Sequence, residues 1–440
     1  MAPEPRPFDD LETPALVQLE RDLSARLDQL KAERLALDLT RGKPAADQLD
    51  LSNALDGVLQ GNYQLADGTD ARNYGVLRGV PEARRLGAEL LDVDPKNVLA
   101  GGNSSLQLMH FVVEAALEHG LFGESTAWRA EAVAWGAEVK FLCPVPGYDR
   151  HFSICEALGI QMIPVALGPN GPNVAELERR VTADPLIKGI WCVPQYSNPT
   201  GCVYSNEVVE GIARLPHAAG ENFLVLWDNA YAVHHLEFPA PRVPSLLRLA
   251  QAAGTADQVV MFASTSKITF AGAGVAFLAA SESLLAAIEK HLAVSIIGFD
   301  KVNQLRHARF LANRLEAHMR AHAALIGPKF QAVLSRLDET LAPLGIASWT
   351  APGGGYFISV DTRPGLAKEV VRLAREAGVT LTPAGATYPY GNDADDRNIR
   401  VAPTYPALSD VEAATDVLVL CVQLATLRQL LGRRRREDAP

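Results

Sequence analysis

Short, evenly apolar runs alternate with amphipathic ones through the middle of this chain. The runs at 139–142, 189–193, 222–227 and 257–263 are too short for helices. They carry too little polar alternation for half-exposed strands, and so fit strands buried on both faces. Helical patterns such as 106–118 lie between them. From about residue 52 to about 311 this alternation is the α/β signature. The ends of the chain read differently. Leu16, Leu19, Leu23, Leu27 and Leu30 recur every three or four positions, which predicts a helix over 11–37 with one apolar face. Helices are also predicted at 283–292 and 305–341, the latter as one long connector. Strands are predicted at 347–360 and 379–402 around a helix at 366–377, with a closing helix at 410–431. The expected architecture is α/β: a large domain (52–311) with a mostly parallel central sheet flanked by helices, and a smaller α+β domain from both ends (1–51 and 312–440).

Three apolar runs lead into residues with chemical potential. Asn198-Pro-Thr-Gly201 follows 189–193, Asp228-Asn-Ala-Tyr231 follows 222–227, and Ser264-Thr-Ser-Lys267 follows 257–263. Taken singly, the first is a plain turn and Asp228 a turn or N-cap residue. A lysine after a strand is usually a solvated loop residue. In open α/β sheets, however, ligands sit outside the carboxyl ends of strands. Burial also lowers a lysine pKa and frees the amine for Schiff-base chemistry. Upstream, Gly101-Gly-Asn-Ser104-Ser105 opens the amphipathic helix at 106–118, a place where helix N–H groups can hold phosphate.

Together and in this order these runs resemble the fold-type I, pyridoxal-phosphate-dependent aminotransferases, from about residue 35 to 424. The resemblance implies that Lys267 binds the cofactor aldehyde and moves the substrate proton. Asp228 would pair with the pyridine nitrogen, and Tyr231 and Asn198 with the 3′ oxygen. Ser104, Ser105, Ser264 and Ser266 would hold the phosphate. Tyr148, in Cys143-Pro-Val-Pro-Gly-Tyr148, takes the place of the aromatic that stacks on the ring. Arg400, in Arg397-Asn-Ile-Arg400-Val-Ala, takes the place of the α-carboxylate clamp, and Gly42 lies in the segment that closes over the substrate. Tyr74 matches a tyrosine that reaches the partner subunit's cofactor, which implies a homodimer with shared active sites. Lys301 falls loosely where some aspartate-specific relatives place a partner-subunit arginine for the distal carboxylate, with Arg78 and Arg41 behind it. The chain departs from the pattern after Lys267: Ile-Thr-Phe-Ala-Gly-Ala-Gly-Val275 has no arginine for the phosphate.

Four longer runs narrow the resemblance: Asp38-Leu-Thr-Arg-Gly-Lys-Pro44, 264–275, Asp300-Lys-Val-Asn-Gln-Leu-Arg-His307 and Pro383-Ala-Gly-Ala-Thr-Tyr-Pro-Tyr-Gly391. They are similar to a divergent bacterial subgroup of class I aspartate aminotransferases, itself similar to the amino-acid-binding domain of MocR-type regulators. Aspartate and 2-oxoglutarate are the implied substrates. Another transaminase (alanine, aromatic or aminoadipate type), a lyase of the same fold, or an effector-binding domain without activity are the alternatives. No helix-turn-helix pattern precedes the domain, which weighs against the last.

Composition bounds the rest. The 440 residues are 48% hydrophobic, enough for large cores, and carry a formal charge of −10, which argues against nucleic acid as a partner. An acidic chain acting on dicarboxylates needs local cations. No stretch reads as membrane-spanning or as a signal peptide. Five cysteines without CxxC spacing predict reduced thiols and a cytoplasmic protein, with Cys143 and Cys192 as packing residues. No residue cluster suggests a metal, and the His234-His235 pair reads as structural. The Pro-rich lead at 1–7 is expected to be mobile, and Arg433-Arg-Arg-Arg436 to be a frayed, solvated end.

Overall fold

The computed structural model describes residues 7–220 and 222–437; the lead at 1–6 lies outside them. An eight-stranded sheet organises the middle of the chain. Its spatial order is Val98–Ala100, Ala276–Ala279, Val259–Ser264, Leu224–Asp228, Ile187–Cys192, Lys140–Val145, Gln161–Gly168 and Gly171–Pro172. The five strands from Val259–Ser264 to Gln161–Gly168 are mutually parallel. Ala276–Ala279 runs antiparallel to both its neighbours, and Gly171–Pro172 antiparallel to its own. The apolar runs became central strands because both faces are covered. Leu224 and Leu226 point into one core with Trp191, Val260 and Phe262, beneath the helices Ser105–Glu118 and Glu282–Leu292. Val225 and Trp227 point into the other with Ile190, Val259 and Met261, beneath Pro81–Leu91, Asn206–Arg214 and Leu246–Ala253. Cys143 and Cys192 are buried packing residues, and all five cysteines are free.

A separate core joins the two ends of the chain. Leu16, Leu27 and Leu30 of the helix Thr13–Glu33 pack with Phe330, Val333 and Leu337 of Leu315–Thr340 and with the helix Leu408–Glu437. A three-stranded antiparallel sheet, Ala347–Trp349, Ile358–Thr362 and Asn398–Val401, lies against them. The predicted helix at 11–37 ends at Glu33, where Arg34 takes a left-handed conformation. Leu37–Asp38 then pairs in parallel with Val379–Thr380.

Four expectations are corrected. The connector at 305–341 is two helices, Lys301–Leu311 and Leu315–Thr340, broken where Asn313 adopts φ 57°. The strand predicted over 379–402 is two short strands, because Pro383, Gly385, Pro389 and Gly391 hold the segment between them in turns. The tail does not fray: Leu408–Glu437 stays helical, and Arg434 donates to Thr13 Oγ1 (3.1 Å) and the Asp9 carbonyl (3.3 Å). That same helix is long and apolar enough to cross a membrane by length and composition. Yet 78% of its most apolar window is buried, in the core it forms with Thr13–Glu33 and Leu315–Thr340.

Candidate active site

The parallel strands deliver their carboxyl ends to one edge of the sheet. Tyr148 follows Lys140–Val145, Asn198 follows Ile187–Cys192, Asp228 ends Leu224–Asp228, and Lys267 follows Val259–Ser264. Register puts Asp228 opposite Phe262, two residues before Ser264. Arg400 arrives from the other sheet, on Asn398–Val401. Its Nη1 donates to Asn198 Oδ1 (3.3 Å) and to Asp149 Oδ1 (2.9 Å), and its Nε to Thr382 Oγ1 (3.3 Å). Among the described residues no hydrogen bond occupies Nη2. The guanidinium lies over the Phe357 ring at 5.0 Å.

Asp228 is the electrostatic floor of the site. It is 2% exposed, and its Oδ2 faces His151 Nε2 at 3.0 Å. His151 is held in turn by parallel stacking on Trp191, with centroids 4.3 Å apart. Asp228 Oδ1 is buried with no partner. A buried carboxylate oxygen left without a donor is costly, so this atom fits an N–H supplied by a bound group. Lys267 Nζ sits 5.0 Å from the centroid of Tyr231. Burial pushes its amine below the usual lysine range, and the Asp228 charge opposes that shift. Burial chiefly, with Tyr148 and then Asp228 adding to it, pushes the Tyr231 phenol well up, so it stays a neutral hydroxyl that can donate. Tyr148 caps the helix Asp149–Ala157 and sets its ring edge-on to His151 at 5.0 Å.

The small hydroxyls gather at the start of Ser105–Glu118. Ser104 Oγ accepts from Gln107 N (3.4 Å), which leaves its hydrogen free to donate. Ser266 Oγ donates to the Asn103 carbonyl (3.3 Å), and Ser264 Oγ accepts from Ser266 N (3.4 Å). Asn103 reaches the Gly272 carbonyl (3.1 Å), tying the glycine loop to the lysine loop. None of these hydroxyls is bonded to a lysine or arginine, so the cradle rests on hydroxyls, backbone N–H groups and the helix terminus.

Gly42 packs on the ring that carries Arg400: a Cβ there would stand 2.4 Å from Phe357 Cζ. Gly42→Ala is expected to push Phe357 and Arg400 together. It should cost about 1–3 kcal/mol of stability and raise KM for both substrates, read by thermal melting and steady-state kinetics. An unchanged KM would remove Gly42 from the substrate path.

Tyr74 and Lys301 are placed apart from these groups. Tyr74 is 86% exposed, whereas Lys301 is 4% exposed and its ammonium donates to the Tyr74 carbonyl (3.0 Å). That contact ties the Lys301 ammonium to the Tyr74 segment. Arg78 is likewise paired, with Glu289, while Arg41 is exposed beside Gly42. Sequence reasoning passed over His151, Asp149, Thr382 and Tyr356. His234, read as structural, places its Nε2 3.2 Å from the Lys267 carbonyl. His151 lies three residues after Tyr148, one turn into the helix that Tyr148 caps.

The chain is similar to known proteins over nearly its whole length. A family profile described as aspartate amino-transferase matches residues 11–434. An aspartate aminotransferase of Corynebacterium glutamicum is 44% identical, over 95% of this chain and 96% of that protein. The crystal structure of an aspartate transaminase from C. glutamicum has a TM-score of 0.90 at 43% identity, covering 96% of this chain and 98% of that one. An α-aminoadipate aminotransferase from Thermus thermophilus, crystallised with N-(5′-phosphopyridoxyl)-L-leucine, shares the fold. Its TM-score is 0.72 at 22% identity, over 91% of this chain and 97% of that one.

Proposed function

Because the chain belongs to the aspartate amino-transferase family, we propose that it moves the amino group of L-aspartate to 2-oxoglutarate, giving oxaloacetate and L-glutamate. It is a pyridoxal-phosphate-dependent aminotransferase of fold type I. The observation that carries the reading is Asp228, with one oxygen held by His151 and the other buried and unpartnered in a site shared with Lys267. When bound, pyridoxal phosphate supplies an aldehyde that condenses with an amine and a protonated ring that takes up electrons as the substrate Cα–H bond breaks.

The remaining steps belong to the protein's own groups. Lys267 would supply the amine and carry the proton to and from the substrate Cα, a role that a pKa lowered by burial favours. Asp228 would accept the ring N–H through Oδ1 and keep that nitrogen charged. Tyr231 and Asn198 would orient the ring oxygen, and Tyr148 would cover the ring. Ser104, Ser105, Ser264 and Ser266 would hold the phosphate. Arg400 clamps the α-carboxylate, with Asn198 and Asp149 fixing its plane. Gly42 closes beside Phe357. For the distal carboxylate Lys301 and the exposed Arg41 are the candidate cations. One α-carboxylate clamp and one distal cation serve both substrates, which is why a single site can alternate between them.

In this reading residues 52–311 form the large cofactor-binding domain, and 1–51 with 312–440 the smaller one. The exposed Tyr74, with the exposed Val294 and Ile297, supports a homodimer in which Tyr74 serves the partner's site. Five unpaired, buried cysteines suit a cytoplasmic enzyme. The direct test mixes the cofactor-loaded protein with aspartate and no keto acid. The visible absorbance of the lysine-bound cofactor should be lost as one equivalent of oxaloacetate forms. Loss with another amino acid but not with aspartate would keep the aminotransferase and discard the donor.

Arg400→Lys keeps a charge but loses the planar fork. It is expected to raise KM for aspartate and 2-oxoglutarate alike by about 10–100-fold, the value of one or two charge-assisted hydrogen bonds. A KM rise for only one substrate would argue against a shared α-carboxylate clamp.

A further inference from the structure

The loop that carries Lys267 is gripped from behind by groups the proposed reaction does not use. The Lys267 carbonyl receives His234 Nε2 (3.2 Å) and the Tyr356 hydroxyl (3.3 Å). The next carbonyl, Ile268, receives both His318 Nε2 (2.7 Å) and His322 Nε2 (2.9 Å). A carbonyl only accepts, so each of these three ring nitrogens carries hydrogen. The 3.2 Å between His318 Nε2 and His322 Nε2 is then two donors converging on one oxygen. Gln48 completes the set: its Nε2 donates to Tyr356 Oη (3.0 Å) and approaches His322 Nδ1 at 3.4 Å. Accepting there requires His322 to be neutral. A fourth histidine is oriented the other way. His307 Nδ1 donates to the Asn303 carbonyl (2.8 Å), so its Nε2 accepts from Thr269 Oγ1 (2.9 Å).

The origin of these groups gives the arrangement its meaning. Gln48 lies near the N-terminus, His318 and His322 on Leu315–Thr340, and Tyr356 just before Ile358–Thr362, the strand paired with the one carrying Arg400. Lys267 and His234 belong to the segments around the large sheet. Two backbone carbonyls of the lysine loop are thus bonded to the same part of the molecule that supplies Arg400.

We propose that Gln48, Tyr356, His234, His318 and His322 are positioning residues: a neutral hydrogen-bonded clamp that fixes the Lys267 backbone relative to Arg400, and so sets where the lysine amine stands over a bound substrate. The clamp acts through Lys267 and touches no substrate. Neutral rings suit the task. Burial pushes His234 down to about 3 and His322 to about 4, and lowers His318 as well. His234 and His322 therefore stand beside the lysine loop as neutral imidazoles near neutral pH. The groups facing this cluster are Lys267, Asp228, Tyr231, His235 and Asp47; of the two carboxylates, Asp228 favours the charged lysine and Asp47 the charged His322.

This inference rests on the aminotransferase reading for its purpose, but its test does not. In the cofactor-free full-length protein, the pH dependence of reductive methylation at Lys267, read by peptide mass spectrometry, reports the pKa of the amine. Tyr356→Phe removes one donor to the Lys267 carbonyl, and His322→Leu removes one to Ile268. Each is expected to loosen the loop and raise the amine pKa by at least about half a unit toward the ordinary lysine value. In the loaded enzyme each should cut kcat about tenfold with KM for aspartate nearly unchanged, as a small misplacement of a reacting group does. His322→Gln, whose amide can donate to the same carbonyl, should recover most of both effects. An unmoved amine pKa in Tyr356→Phe and His322→Leu, with only a lowered melting temperature, would overturn the clamp. Absent aspartate turnover in the parent with the pKa shifts intact would overturn the substrate reading alone.

Discussion

Lys267→Ala is expected to lower turnover by at least about 10⁴-fold, the upper range of what a positioned acid–base group contributes. No other group stands in for it. The Tyr231 hydroxyl is pushed far up in pKa by burial and cannot act as a base near neutral pH. The substitution should also abolish the hydride-fixable bond between protein and cofactor, read as loss of cofactor mass on the peptide after borohydride treatment. Stability gives an independent readout. A buried amine held below the ordinary lysine value costs stability in its charged form. That cost is full at low pH, and is relieved as pH rises through the lowered value toward that of the unfolded chain. Alanine removes the cost, so the cofactor-free variant should melt no lower than the parent at pH 7. Retained turnover, or a large fall in melting temperature, would show that Lys267 serves the fold and not the chemistry.

Asp228→Asn should cost the next most, about 10²–10³-fold in kcat, the range seen when one preorganised electrostatic partner is lost. Asparagine keeps the shape and can still accept from His151 Nε2, so the stacked His151–Trp191 pair stays in place. What it loses is the charge that holds a ring nitrogen protonated through Oδ1. The variant should therefore still bind cofactor, with weaker affinity, and still form the lysine bond, while proton removal from the substrate becomes slow. A primary isotope effect with Cα-deuterated aspartate, larger than the parent's, would report that step. Turnover near the parent's would remove Asp228 from the electron-withdrawing role and leave its unpartnered oxygen unexplained.

Each of these predictions concerns a residue visible in the sequence. Lys267, Asp228, Asn198 and Tyr231 follow buried apolar runs directly, so their place at one sheet edge follows from chain order and the parallel connection of the strands. Arg400 was legible from its motif alone; its hydrogen bonds to Asp149 and Asn198, 251 and 202 residues away, were not. Lys301 is similar: a lysine at a helix start reads as a free cation, and only the packed structure shows its ammonium on the Tyr74 carbonyl. The long connector failed locally: nothing in Ala312-Asn313-Arg314 announces a break, yet Asn313 turns left-handed between two helices.

By itself, then, the sequence determined the strand runs, the helix faces, the order of the candidate site residues and the absence of an arginine after Lys267. All of these depend on neighbours in the chain or on periods of two to four residues. The tertiary structure alone decided which oxygen of Asp228 is free and which cation is already paired. It alone decided that the C-terminal apolar helix is core. It also brought Gln48, separated from Tyr356 by 308 positions, to the hydroxyl that holds the lysine loop. Those outcomes depend on hydrogen-bond partners brought together by packing. Their energies are set by burial and geometry between distant segments, and no pattern along the chain encodes those distances.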